Sequence, residues 1–207
     1  NVTASTVQDD ETFLCIVNTC TVTQKSEQKA RRIIRLLLKK YPFAVILVTG
    51  CYAQTNPMQI LQIDSRIAVI GGQIKSRIAK LPDFFVDIFK KNEFEAKQTA
   101  EFINQTYSKQ EESKYSVAED AFKLSTTSFL AHSRAAIKIQ DGCNNNCSYC
   151  AIHIARGKSV SLEASEVIKR VQKLEDEGHE EVVLTSINIG QYKSEYNNFS
   201  VNFARLL

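Results

Sequence analysis

The sequence has no apolar run that approaches the length needed to cross a membrane, and it has no secretory signal pattern at its start. It also lacks a large excess of either charge, since 26 Lys and Arg against 23 Asp and Glu give a formal net charge of +3. A net charge this small does not by itself indicate binding to nucleic acid. We therefore expect a cytoplasmic protein with no membrane partner, whose function must be sought in local motifs.

Cysteine is the informative residue type that the chain does contain, with six copies. Three disulfides would be one use for them, but without a secretory signal the default compartment is the reducing cytosol. Clustered cysteines in that setting more often bind a metal or take part in catalysis. Cys143, Cys147 and Cys150 lie in one short polar loop at C-x3-C-x2-C spacing, which indicates metal chemistry there.

The first 90 residues alternate between short apolar runs and amphipathic stretches. The apolar runs lack a helical period and therefore predict buried strands at 13–19, 44–49 and 66–72. Apolar side chains at helical spacing predict a helix over 24–40, and further helices are expected from Pro57 and over 74–81. This order of strands and helices predicts an α/β domain, residues 1–90, with helices packed on a parallel sheet.

Charged and polar residues dominate the segment 91–130, which we predict to be a linker between two domains. The second domain, residues 131–207, begins with a predicted strand at 135–140 that runs directly into the cysteine loop. A predicted helix follows, with Ser161 as its N-cap and its end near Glu177.

A further predicted strand at 180–186 completes a strand–loop–helix–strand unit. This unit is the repeat of a β/α barrel, in which the chemistry lies at the C-terminal ends of the strands. The cysteine loop occupies that position after the first strand. We expect the chain to contain only the first part of such a barrel.

Two kinds of metal site fit the cysteine loop. Cys143, Cys147 and Cys150 together with His153 would make a tetrahedral Cys3His zinc site. Three cysteines without a fourth also suit a cluster of four irons that leaves one iron open to a substrate or cofactor, and the spacing differs from the bacterial ferredoxin run. The spacing alone therefore leaves open a zinc-stabilised nucleic-acid-binding module, an electron-transfer iron–sulfur protein and an iron–sulfur enzyme.

Five separated stretches carry a family resemblance. They are NTCTVTQKSEQKARRIIR (18–35), VTGCYAQTNP (48–57), IQDGCNNNCSYC (139–150), ARGKS (155–159) and EVVLTSINIGQY (181–192). The C-x3-C-x2-C loop after the first barrel strand resembles the radical S-adenosylmethionine superfamily. All five stretches together resemble its methylthiotransferases, over nearly all of residues 13–192 except the linker.

The resemblance is nearest to the branch that acts on tRNA carrying threonylcarbamoyl-adenosine next to the anticodon. It depends on Thr21-Val22-Thr23 after Cys20 and on Tyr52-Ala53-Gln54 after Cys51. The resemblance implies transfer of a methylthio group to position 2 of that adenosine, with tRNA and an electron donor protein as partners. A sister branch that acts on isopentenyl-adenosine in tRNA, or on a ribosomal protein, is the alternative.

The resemblance also implies cofactors for the second domain. Cys143, Cys147 and Cys150 would hold a 4Fe–4S cluster whose open iron chelates S-adenosylmethionine. Tyr149 would lie beside the adenine of that cofactor, and Arg156 could bind a carboxylate or phosphate in a bidentate manner. These are cofactor and metal ligands, and no catalytic residue is assigned.

A second 4Fe–4S cluster is implied for the first domain. Cys20 and Cys51 match two of the three cysteines that the family uses for it, and the third is expected upstream, where this sequence does not contain it. We interpret Cys15, inside the first strand, as a core residue and not a ligand.

The predicted helix 24–40 is strongly basic, and its lysines and arginines either form a solvated face or contact tRNA phosphates. We also expect the chain as given not to catalyse the full reaction, because the third cysteine and most barrel strands are not in it.

Overall fold

The structure is a computed structural model and describes residues 12–21, 23–107, 121–122 and 134–207. The chain divides into two compact units, Asn1–Lys114 and Tyr115–Leu207, and each unit has its own hydrophobic core. Within the described part of the chain, no helix combines the length and the apolar character that crossing a bilayer requires.

Three parallel strands form the sheet of the first unit, in the order β1 (Leu14–Thr19), β2 (Val45–Gly50) and β3 (Ile67–Gly71). All six residues of β2 are buried, because helices cover both faces of this central strand. The prediction of three parallel strands is confirmed. Thr19 lies beside Gly50 and Gly50 beside Gly71, so the three strands end level at one edge of the sheet.

One face of the sheet is covered by α1 (Gln24–Lys40), with α2 (Cys51–Thr55) and α3 (Pro57–Leu61) after β2. The side chain of Thr23 caps α1 by accepting a hydrogen bond from the Ser26 amide at 3.1 Å. Ala30, Ile34 and Leu38 form its buried face. The other face of the sheet is covered by a 3₁₀ helix (Gly72–Lys80), α4 (Leu81–Lys91) and α5 (Ala96–Thr106).

The predicted linker 91–130 is wrong for residues 96–106, which form α5. Ala100 and Ile103 of α5 are fully buried against the sheet. Asn104 accepts a hydrogen bond from the Val69 amide at 2.8 Å and donates one to the Ile67 carbonyl at 2.9 Å. Because β3 is an edge strand, these bonds pair backbone groups on the side of β3 that faces away from β2. Residues 108–120 and 123–130 of the predicted linker lie outside the described residues.

The second unit contains the predicted strand–loop–helix–strand sequence. The strands β4 (Ala135–Lys138) and β7 (Val182–Thr185) pair in parallel, and α7 (Ala164–Asp176) connects them and packs against β4. The remaining elements are short: β5 (Gln140–Asp141), α6 (Ile152–Arg156), β6 (Val160–Ser161), a 3₁₀ turn (Ile189–Gln191), β8 (Lys193–Tyr196), β9 (Phe199–Asn202) and α8 (Phe203–Leu206).

The predicted N-cap at Ser161 is wrong, because α7 begins only at Ala164, after Glu163. Ser161 belongs instead to β6 and pairs with Gln140 of β5 in an antiparallel ladder. Its hydroxyl accepts a hydrogen bond from the Lys193 amide at 3.0 Å, so it has no role at the helix start. The predicted end near Glu177 is confirmed, since α7 ends at Asp176 and Gly178, at φ +86°, lies just past it.

Candidate functional site

The cysteine loop begins directly after β5, and its first residues are hydrogen-bonded to the segment that follows α6. Cys143, Cys147 and Cys150 are free, partly buried thiols. The Cys143 amide donates to the Gly157 carbonyl at 3.1 Å, and the Cys150 amide donates to the Cys147 carbonyl at 3.0 Å. These bonds place all three thiols on one short, folded loop at the C-terminal end of a strand.

Gly142 makes the tight entry to this loop. Its φ is +71°, and a Cβ atom there would lie 2.1 Å from the carbonyl oxygen of Lys158. Only glycine adopts this conformation and tolerates this approach without a backbone shift. The glycine before Cys143 is therefore required by the packing of the loop against residues 157–158.

Gln140 is the central polar residue of the site and is fully buried. The two hydrogens of its side-chain amide nitrogen are shared among three oxygens, the carbonyls of Asp141 and Gly142 at 2.9 and 2.8 Å and the hydroxyl of Ser159 at 2.9 Å. Backbone groups buried without a partner are costly, so this side chain stabilises the start of the cysteine loop.

The side-chain oxygen of Gln140, Oε1, connects the cysteine loop to a second loop, which follows β7. It accepts hydrogen bonds from the amides of Ile187 and Asn188 at 3.1 and 2.9 Å. One buried side chain therefore holds together the loops at the C-terminal ends of both paired strands, the edge at which a β/α unit places its chemistry.

The second loop also contacts the cysteine loop directly. Gln191 accepts a hydrogen bond from the Asn144 amide at 3.0 Å and donates one to the Asn145 side chain at 3.1 Å. The side-chain amide of Asn188 lies 3.8 Å from the sulfur of Cys143, and the Asn145 amide lies 3.5 Å from the same sulfur. Hydrogen-bond donors to the sulfurs are one of the features by which a protein tunes a bound iron–sulfur cluster.

A partly buried ion cluster, centred on the buried carboxylate of Asp141, lies immediately before the cysteines. The carboxylate of Asp141 is 2.8 Å from the ammonium of Lys138 and 3.0 Å from the guanidinium of Arg156, and it accepts from the Gly142 amide at 2.8 Å. Burial alone would raise the pKa of Asp141, but the hydrogen bond and charge of Lys138, the charge of Arg156 and the Gly142 amide together lower it.

Arg156, expected to bind a cofactor carboxylate or phosphate, contacts a carboxylate of the protein itself. One nitrogen of its guanidinium lies 3.0 and 3.2 Å from the two oxygens of Asp141. Tyr149, expected beside the adenine of the cofactor, is 90% exposed.

His153 lies in α6, and its Nδ1 atom is buried without a hydrogen-bond partner. Within the ranges that the structure describes, no three side chains of His, Cys, Asp or Glu are gathered as one metal ion requires. The Cys3His zinc arrangement is therefore not formed there. In an iron–sulfur cluster each thiolate binds a different iron, so three free thiols on one loop, with donors aimed at the first sulfur, fit such a cluster by their chemistry.

The first unit brings Cys20 and Cys51 to the same edge of its sheet. Each follows the last residue of a strand, and those last residues, Thr19 and Gly50, are neighbours in the parallel register. Gly50 has φ +96°, and a Cβ atom there would lie 2.3 Å from the Thr19 carbonyl oxygen, so a larger residue would separate the strand ends. Cys20 is exposed and Cys51 is buried.

Cys15 packs against the core of the first unit, which confirms its interpretation as a core residue. Burial raises the pKa of its thiol, so the thiolate that a metal ligand requires is disfavoured there.

The residues that suggested a substrate branch have structural partners. Thr23 caps α1, and Thr21 donates to the carboxylate of Glu27. The hydroxyl of Tyr52 accepts from Arg31 at 2.8 Å and donates to Gln59 at 3.1 Å.

Gln54 accepts a hydrogen bond from the Gln73 amide at 3.2 Å. Val22 lies outside the described residues. These contacts stabilise the two loops that carry Cys20 and Cys51.

Three residues of the site, Gln140, Asn188 and Gln191, were not singled out from the sequence. Gln140 gave one usable signal, since an uncharged polar residue at the end of an apolar strand must find partners when buried. Asn188 and Gln191 lie 45 and 48 residues after Cys143, and no local spacing connects them to it.

Comparison with known proteins gives two family matches, one in each half of the chain. The model of the uncharacterized protein family UPF0004 matches residues 2–72, and the Radical SAM superfamily model matches residues 137–196. The second match contains the three-cysteine loop, the last two residues of β4 and all of β7. It implies S-adenosylmethionine and iron–sulfur chemistry for the second unit.

Relatives match almost the whole chain. It is 41% identical to the threonylcarbamoyladenosine tRNA methylthiotransferase MtaB of Treponema pallidum, over 94% of this chain and 48% of the relative. The proteins of the same name from Bacillus subtilis and Chlamydia pneumoniae are 37% and 34% identical, over 93% and 86% of this chain and 38% and 35% of the relatives. The chain thus spans between about a third and a half of the length of these relatives. With both family segments in the same order and these relatives, the chain belongs to the radical S-adenosylmethionine methylthiotransferase family.

Proposed function

We propose that the protein adds a methylthio group to position 2 of threonylcarbamoyl-adenosine, next to the anticodon of tRNA. The observation that carries the proposal is the three-cysteine loop at the C-terminal end of β4, held in a strand–loop–helix–strand unit. The names of the relatives support the tRNA substrate.

Cys143, Cys147 and Cys150 would hold a 4Fe–4S cluster with one iron open to S-adenosylmethionine. When bound, the cluster would supply the electron that cleaves a carbon–sulfur bond of S-adenosylmethionine and so starts the reaction. The exposed ring of Tyr149 would lie along the adenine of the cofactor. The protein's task is to bind, orient and shield these groups.

The surrounding side chains support this task in three ways. Gln140 holds the cysteine loop and the loop after β7 in one arrangement. Asn188 directs its amide at the Cys143 sulfur, which would stabilise negative charge on a bound cluster. Asp141 binds both Lys138 and Arg156, so the nearby positive charges are fixed in place.

A second 4Fe–4S cluster would be held at the sheet edge of the first unit, with Cys20 and Cys51 among its ligands. When bound there, it would supply the sulfur that is inserted into the adenosine. The two cysteines follow neighbouring strand ends, which supports a shared ligand role. An electron donor protein would supply the reducing electron, and the site of action would be the cytoplasm.

Nucleoside mass spectrometry of tRNA from a strain that lacks the protein tests this proposal. We expect the 2-methylthio form of threonylcarbamoyl-adenosine to disappear and the unmodified nucleoside to accumulate. Loss of the methylthio form of isopentenyl-adenosine instead would contradict the proposed substrate and assign the protein to the sister branch.

A further inference from the structure

The positive charge of the chain is concentrated on one helix. α1 carries seven lysines and arginines against the single carboxylate of Glu27, a formal charge of +6 on 17 residues. Because the whole chain has a net charge of +3, the other 190 residues together carry −3. The small total therefore conceals a strong local positive potential.

These charges face solvent, since the opposite face of α1 is buried against the sheet and fixes the rotation of the helix. The carboxylate of Glu27 lies 3.8 Å from the guanidinium of Arg31, so it pairs with the one partly buried cation of the helix. The remaining six cations are exposed: Lys25, Lys29, Arg32, Arg35, Lys39 and Lys40. Lys25, Lys29 and Arg32 are spaced by four and three residues, which places them along one side of the helix.

An exposed aromatic ring follows the helix directly. Phe43 is 81% exposed. It lies in a turn closed by a hydrogen bond from the Ala44 amide to the Tyr41 carbonyl at 3.2 Å. The guanidinium of Arg66 donates to the carbonyls of Tyr41 and Pro42 at 3.2 and 2.7 Å. The turn is therefore held rigidly while its large apolar side chain remains in water.

We propose that a basic–aromatic surface, made of Lys25, Lys29, Arg32, Arg35, Lys39 and Phe43, binds the RNA substrate. The cations contact backbone phosphates, and Phe43 stacks on an unpaired base. The proposal rests on the proposed function, since it takes tRNA as the partner.

RNA fits this surface in two respects. Phosphate oxygens are the usual partners of clustered lysines and arginines on nucleic acids, and they supply much of the affinity. Proteins that recognise single-stranded loops commonly stack the unpaired bases on exposed aromatic rings. A stem–loop offers both chemistries close together, whereas an acidic protein surface offers no flat base for Phe43.

The charge contribution is tested by fluorescence anisotropy with an anticodon stem–loop RNA over a range of salt concentrations. The variant Lys25→Gln/Lys29→Gln/Arg32→Gln should bind about tenfold or more weakly. The slope of log affinity against log salt should become shallower by about two to three. The matched control is Lys90→Gln/Lys91→Gln/Lys97→Gln. It removes the same charge from two exposed positions in the last turn of α4 and one in α5, and it should leave the affinity and the salt slope close to the parent values.

The aromatic contribution is tested with Phe43→Ser. Affinity for the stem–loop should fall about fivefold or more, and affinity for an RNA duplex of the same length should not change. Phe199→Ser is the control, because Phe199 is also highly exposed but lies in β9 of the second unit. Circular dichroism of each variant checks that the fold is retained.

Equal weakening by the helix variant and its charge-matched control would overturn the proposal, because only the net charge would then matter. Failure of the parent protein to bind the RNA at low salt, or binding to anionic lipid vesicles in its place, would also overturn it. These arms measure binding alone. A strain without the protein that keeps its methylthio nucleoside would refute the proposed function and leave this surface standing.

Discussion

Gly142 is the residue of the cysteine loop with the strictest steric requirement. Gly142→Ala should destabilise the second unit by about 1–3 kcal/mol from the positive φ, with a further cost from the contact with the Lys158 carbonyl. Gly178→Ala is a matched control, because Gly178 also has a positive φ but a Cβ atom there would meet nothing within 4 Å. Urea unfolding of both variants checks the prediction, and equal losses of stability would show that the contact is unimportant.

Gln140 should matter through its hydrogen bonds and not through its volume. Gln140→Met keeps a similar shape but leaves buried carbonyl and amide groups without partners, at about 1–3 kcal/mol for each unsatisfied group. We expect faster hydrogen exchange at the amides of Ile187 and Asn188. Gln172→Met, at an exposed position of α7, should change neither stability nor exchange. Unchanged exchange in Gln140→Met would show that the two loops are held together by other contacts.

At the scale of secondary structure, α5 should behave as part of the first unit. Asn104→Ala removes both bonds to the outer edge of β3 and should reduce the stability of this unit by about 1–2 kcal/mol. Gln98→Ala, on the exposed side of the same helix, is the control. Limited proteolysis of the parent protein should spare residues 96–106, and rapid cleavage there would support the linker interpretation instead.

The elements that the sequence predicted correctly are those with a strong apolar period. The strand β2 is a continuous apolar run, and α1 repeats its buried residues at helical spacing. By contrast, α5 buries mainly small residues, such as Ala96, Thr99 and Ala100, so its period is faint among the surrounding charges. The start of α7 was misplaced because Ser161 has the chemistry of an N-cap, but its hydroxyl accepts from a β8 amide.

At the scale of the whole molecule, the cysteine positions could be predicted from spacing and strand order, but their surroundings could not. The interaction of Asp141 with Arg156 links residues 15 apart, and that of Gln140 with Asn188 links residues 48 apart. Such pairs arise from how the chain folds back on itself, and no local pattern encodes them. The same holds for charge, since a total of +3 gave no sign of the potential around α1 until the exposed side of the helix was known.

The central claim is that Cys143, Cys147 and Cys150 hold an iron–sulfur cluster with an iron open to S-adenosylmethionine. Anaerobic reconstitution with iron and sulfide, followed by metal analysis and electron paramagnetic resonance of the reduced protein, tests it most directly. Replacing all three cysteines by alanine should remove about four irons per chain, while Cys15→Ala should remove none. S-adenosylmethionine should alter the resonance of the parent cluster. Stoichiometric zinc with no bound iron, or a resonance indifferent to S-adenosylmethionine, would contradict the claim.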